Sequence, residues 1–113
     1  MSKYKVGDIY SIRVEFEEDP QQAKIRPVVI LYIDDNEKPV VAFVHPITSK
    51  APQDPPKYHD NFKVEIRHWR EAGLRKPSWV KSNRVIQIDV KAFITYIGHM
   101  NDTDLLRLLE LLD

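Results

Sequence analysis

The chain has 113 residues, 42% of them hydrophobic and 30% charged, which suits one domain spanning 1–113 with a single core. Its 17 basic and 17 acidic residues cancel, which argues against a surface that binds polyanions everywhere but permits a local basic patch. Cysteine is absent, so disulfides and thiolate metal sites are excluded. His45, His59, His68 and His99 lack close metal-ligand spacing, and no stretch reaches the roughly 20 apolar residues of a membrane span. The first five residues carry no apolar signal core, so a soluble, cytoplasmic protein without metal or cofactor is expected.

Val6-Gly7-Asp8 reads as a turn into a strand from Ile9 to Phe16, where Tyr10, Ile12, Val14 and Phe16 alternate with the other residues. A period of two predicts one buried face. Residues 17–24 are polar and read as a loop. Pro27 opens the next strand at a position where its missing N–H costs little, and Val28 to Ile33 should be the most buried strand. A turn cluster from Asp34 to Pro39 leads to a strand from Val40 to Val44.

Residues 50–56 hold three prolines and read as loop. Asn61 to Arg67 alternates and predicts a strand. His68 to Ala72 is expected to form one helical turn that Gly73 terminates. Residues 77–82 and 84–88 read as strand pieces interrupted near Asn83. The last segment is helical, capped by Asn101 or Asp102. Its six leucines between Leu105 and Leu112 exceed what one core face needs, so part of the helix is expected to meet a partner. Five or six short strands before one terminal helix predict a small, barrel-like α+β domain.

Two strings stand out chemically: Ile25-Arg26-Pro27-Val28-Val29-Ile30-Leu31 and His45-Pro46-Ile47-Thr48-Ser49. Each is a polar cluster at the end of an apolar strand. If the strands pair, Arg26 faces Thr48 and Ser49, and a fixed guanidinium beside two hydroxyls suits a phosphate or carboxylate. The plainer readings are a structural ion pair for Arg26 and a strand-end turn for Thr48-Ser49.

Together with Val6-Gly7-Asp8-Ile9-Tyr10, Gly73-Leu74, Pro77-Ser78-Trp79-Val80, Ile86-Gln87-Ile88-Asp89, Ile97-Gly98 and Asp104-Leu105-Leu106, these strings resemble the MazF/PemK toxins of type II toxin–antitoxin systems. The resemblance covers most of the chain. It implies an SH3-like, MazF-like antiparallel β-barrel with a C-terminal α-helix, usually dimeric. It also implies metal-independent, sequence-specific cleavage of single-stranded RNA, restrained by a cognate antitoxin. The family's catalytic arginine falls on Arg26 and its hydroxyl partner on Thr48, with Ser49 alongside.

Three departures matter. Ile25 stands where the family often has glycine, residues 17–24 contain no histidine, and Asn83 occupies a position where some members have aspartate. An amide cannot act as a general base, so the proton-transfer group stays open among Glu17, Glu18, Asp19 and His59. Lys24, Ser49, Lys50, Lys81 and Asn83 are the expected RNA contacts. Tyr58, Trp79 and Arg84 are further candidates for stacking or phosphate binding. Two competing readings remain: a small-barrel module that binds nucleic acid or peptide without cutting it, and a toxin on a related fold that acts on a protein such as a topoisomerase.

Overall fold

The computed structural model describes residues 3–16, 19–36 and 38–112, without the side chains of 15, 16 and 19–23. The elements are β1 (Asp8–Phe16), β2 (Asp19–Asp34), β3 (Val41–Thr48), β4 (Lys63–Ile66), β5 (Ser78–Lys81), β6 (Ile86–Asp89), β7 (Thr95–His99) and α1 (Asp102–Leu112). Short 3-10 turns occupy Tyr58–Phe62 and Val90–Ala92.

Seven strands form an antiparallel sheet in the order β4-β5-β3-β2-β1-β7, with β6 branching from β3. The organising strand is β3. Its first half pairs with both β2 and β6, and Ile47 and Thr48 switch to pair with Val80 and Trp79 of β5. The α+β, barrel-like class is as expected, but the described strands do not close a hydrogen-bonded barrel. Between the two ends of the sheet lies the turn at residues 68–74. Its Leu74 N–H bonds the Trp69 carbonyl and its Gly73 N–H bonds the Arg70 carbonyl, the paired bonds of a Schellman cap. Gly73 has a φ of 87°, which only glycine adopts cheaply. A Cβ there would collide with the Ile97 carbonyl, and one at Gly98 would collide with the Ala72 carbonyl. Backbone-to-backbone contact therefore seats β7 on this turn.

The β1-β2-β3 sheet is covered on both faces. Ile9, Val29, Ile47, Ile66, Val80, Met100 and Leu108 form the core beneath α1. Ile12, Val14, Val28, Ile30, Ala42 and Val44 form a second core on the opposite face. The single buried face expected for β1 is thus corrected, because Ile9 fills one core while Ile12 and Val14 fill the other.

Other expectations shift as well. Residues 19–24 are strand rather than loop, since Lys24 and Ile25 pair with Val14 and Arg13 in an extended hairpin. Of the strand expected to be most buried, Val28, Val29 and Ile30 are fully buried, whereas Tyr32 is exposed. The strand expected at 61–67 shrinks to β4 because the preceding residues take a 3-10 turn. The seventh strand, β7, was hidden by the glycine in Thr95-Tyr96-Ile97-Gly98-His99.

Two carboxylates fasten α1 and the N-terminal turn. Asp104, buried in the first turn of α1, accepts from the His68 backbone N–H (2.8 Å), the His68 ring (3.2 Å) and Arg107 (3.0 Å). Burial alone would push its pKa up, but the bonds from His68, Arg107 and the Arg67 N–H outweigh it and hold the pKa below the usual range. Asp8 accepts from the Lys5 N–H (3.0 Å) and from the His99 ring (2.8 Å). Asn101 caps the helix by accepting from the Thr103 N–H at 2.8 Å. Within α1, Leu108 is buried while Leu106, Leu109, Leu111 and Leu112 are exposed.

Candidate nucleic-acid interface

The register of the central hairpin brings the two polar clusters together. Val28 pairs with Pro46. Two residues beyond that pair lie Arg26, which pairs with Ile12 of β1, and Thr48, which pairs with Trp79 of β5, and both line one cleft beside Val14. Pro27 and Pro46 offer no backbone N–H, and Arg26 and Ser49 nearby are exposed.

A cleft opens there, with two adjoining basins. The smaller, about 180 Å³, is lined by Val14, Arg26, Pro46, Ile47, Thr48, Ser49, Lys50, Lys81 and Arg84. The larger, about 560 Å³, is lined by Thr48, Lys50, His59, Lys63, Lys81, Asn83 and Arg84. Thr48, Lys50, Lys81 and Arg84 border both.

Five of the seven expected site residues thus meet in one basin: Arg26, Thr48, Ser49, Lys50 and Lys81. Asn83 lines the neighbouring basin. Lys24 does not join them. It is exposed and pairs with Val14 one step outward along the hairpin, lining neither basin. Among the candidate bases, Glu17 and Glu18 lie outside the described residues, as does the side chain of Asp19. His59 lines the larger basin. Trp79 lines a separate hollow with Trp69 and Pro77.

The Thr48 hydroxyl is oriented by the neighbouring backbone. Its Oγ1 accepts from the Lys50 N–H at 3.1 Å, which fixes the oxygen and leaves the hydroxyl proton free to donate. Lys81 ends β5, which is held between β3 and β4. Buried at the end of its apolar run, His45 donates from Nδ1 to the Lys81 carbonyl at 3.2 Å. The Lys81 pKa is lowered, chiefly by burial and then by the nearby charges of Arg84, Lys63, Arg26 and Lys50. A lysine crowded by four cations marks a site that gains from receiving an anion.

The sequence did not single out Lys63 as part of this site, and Arg84 was only one of several loosely placed cations. Lys63 pairs with Lys81 across β4 and β5, a relation that depends on long-range register. Among the described residues, no group of three or more His, Asp or Glu side chains is placed to hold a metal ion. No helix among them is long and apolar enough to cross a membrane.

A small β-sheet protein with a cationic cleft at the mouth of its central hairpin is a fold class that comparison with known proteins makes specific. Residues 5–113 match the family described as the PemK-like, MazF-like toxin of type II toxin–antitoxin systems, and the chain belongs to that family. Among solved structures it is similar to the Mycobacterium tuberculosis toxin MazF-mt6, with 22% identity, 91% of each chain covered and a TM-score of 0.60. It is also similar to two crystal forms of MazE-MazF from Deinococcus radiodurans. Form II has 15% identity over 99% of this chain and 94% of that one, with a TM-score of 0.68. Form III has 13% identity over 98% and 94%, with a TM-score of 0.69. At these identities the likeness is one of fold. Curated proteins give no significant match.

Proposed function

We propose that this toxin-family chain is a cytoplasmic, metal-independent endoribonuclease that cuts single-stranded RNA by attack of a 2′-hydroxyl on the adjacent phosphorus. The observation that carries the reading is that Arg26 and Thr48 line one basin together with Lys50, Lys81 and Arg84. The P–O5′ bond breaks as the 2′-oxygen bonds to phosphorus, leaving a 2′,3′-cyclic phosphate and a 5′-hydroxyl. Negative charge grows on the non-bridging oxygens during the step. Arg26 offers parallel N–H donors to those oxygens and Thr48 donates its hydroxyl. Lys81, made more acidic by burial and by its cationic neighbours, is suited to protonate the leaving 5′-oxygen. His59 is the candidate base that lines the cleft. Ser49, Lys50 and Asn83 bind the RNA chain, and Lys24 extends the contact along the hairpin.

The family and the MazE-MazF structures support an antitoxin as the protein partner, one whose acidic segment would occupy the same cationic cleft. The exposed leucines of α1 support a two-fold homodimer, which sedimentation at tens of micromolar would check. Mapping the product ends tests the chemistry. Cyclic phosphate and 5′-hydroxyl ends at a short recurring sequence are expected, and 5′-phosphate ends would contradict the mechanism. One feature favours a second reading, a binding module without cleavage: Asn83 lines the larger basin where an aspartate would supply a base.

A further inference from the structure

We infer that Tyr58 is a base-stacking platform for the nucleotide beside the phosphate bound at Arg26 and Thr48, so the two basins divide one substrate between them. This rests on the RNA-binding reading above. The smaller basin, about 180 Å³, falls below the roughly 300–1,000 Å³ of a site for an organic ligand and suits a phosphate group. The larger, about 560 Å³, lies within that range. Because Thr48, Lys50, Lys81 and Arg84 border both, a phosphate bound at the shared rim directs its nucleoside toward His59 and Asn83.

Tyr58 lines neither basin itself but sits beside the larger one, its ring against that of His59, which lines it. Its ring lies 5.5 Å from the His59 ring and 5.4 Å from the Phe62 ring, each at 74°. Those neighbours fix the ring without covering it, and Tyr58 stays 71% exposed. Its mount is rigid. The Asp60 carboxylate accepts from the Gln53 N–H (3.0 Å) and the Lys57 N–H (2.9 Å) and pairs with Lys63 (2.8 Å). The Phe62 carbonyl accepts from both the N–H (2.9 Å) and the hydroxyl (2.7 Å) of Ser82, next to Asn83.

A large aromatic face held out of the core on a braced turn adds contact area at little entropic cost. Asp60 is neutralised by Lys63, so the wall adds no net negative charge to repel phosphate. Bases stack on such faces whatever their sequence, while the Asn83 amide can both donate to and accept from a base edge. Tyr58 would therefore supply affinity and Asn83 selectivity. The occupant this chemistry fits is an unpaired nucleotide of a polynucleotide strand.

The test is binding of the full chain to short single-stranded RNA with 2′-O-methyl riboses, which keep bases and phosphates but remove the nucleophile. Tyr58→Ala should weaken binding roughly 5- to 150-fold, the range for losing one base stack, while Tyr58→Phe binds like the parent. Replacing single nucleotides by abasic ones should reveal one position where the parent loses the same factor and Tyr58→Ala loses nothing further. Equal binding by parent and Tyr58→Ala overturns the platform and leaves the ribonuclease reading intact. Loss in Tyr58→Ala from a parent that never cuts unmodified RNA upholds the platform and overturns the ribonuclease. A parent that binds no RNA overturns both.

Discussion

The cleft makes a quantitative claim about salt, because each phosphate neutralised by the protein releases counterions from the strand. Five cations line the two basins: Arg26, Lys50, Lys63, Lys81 and Arg84. Lys63 is already paired with Asp60 at 2.8 Å and is set aside. Four remain. At about −0.7 per contact for single strands, the log-log dependence of affinity on salt should have a slope of about −2.8. Raising salt from about 50 to about 200 mM should then weaken binding about 50-fold. Lys50→Ala should lower the slope to about −2.1, while Lys63→Ala should leave it near the parent's. Fluorescence anisotropy with a 2′-O-methyl oligonucleotide across a salt series reads these slopes directly. A parent slope near zero would refute the cleft as a phosphate site. Equal losses in Lys50→Ala and Lys63→Ala would refute the separation of free from paired cations.

Other consequences concern the scaffold that holds the cleft. Asp104→Ala strips a buried carboxylate from His68 and Arg107; since both of those reach solvent, the cost should fall near about 3 kcal/mol, or about 12 °C in Tm. An unchanged melt would remove Asp104 as the anchor of α1. Gly98→Ala drives a methyl into the Ala72 carbonyl and should cost about 1–3 kcal/mol, read by urea unfolding. Asp60 is held well below its ordinary pKa of 3.8, first by Lys63 and then by the Gln53 and Lys57 N–H groups. A depressed carboxylate stabilises the fold above its ordinary pKa and loses that contribution as pH falls below it, so amides at residues 53–63 should lose exchange protection below about pH 4 before those of β2. Lys81 runs the other way. Its lowered pKa makes the charged form a cost in the folded state, so Lys81→Met should melt higher at neutral pH, and the two melting curves should converge as pH rises toward 10.5. A constant difference across that range would contradict the assignment.

What could be read from the sequence follows what is local. The apolar runs beside Arg26-Pro27 and Thr48-Ser49 were legible as strands, and their antiparallel pairing through Val28 and Pro46 brings Arg26 and Thr48 to one cleft, although Arg26 lies within β2 rather than at its end. The Gly73 cap and the Asn101-capped helix were legible because turn and cap chemistry resides in neighbouring residues. The rest depends on distant partners. Residues 17–24 looked like loop because their sequence is polar, whereas the pairing of Lys24 with Val14 and of Asp19 with Phe16 is made by backbone. Ile9 seemed to lie on the solvent face of β1 because alternation cannot show that a helix 90 residues later covers it. Lys63 joined the cleft through a cross-strand pairing with Lys81, and His59 through a loop braced by Asp60. Neither relation leaves a local pattern.

The most direct test is cleavage of a long single-stranded RNA in EDTA by the parent and by Arg26→Ala, with both proteins shown to melt cooperatively. The account predicts cuts at a short recurring sequence with the parent and none with Arg26→Ala. Equal cutting by the two proteins, or no cutting by the folded parent, would contradict it.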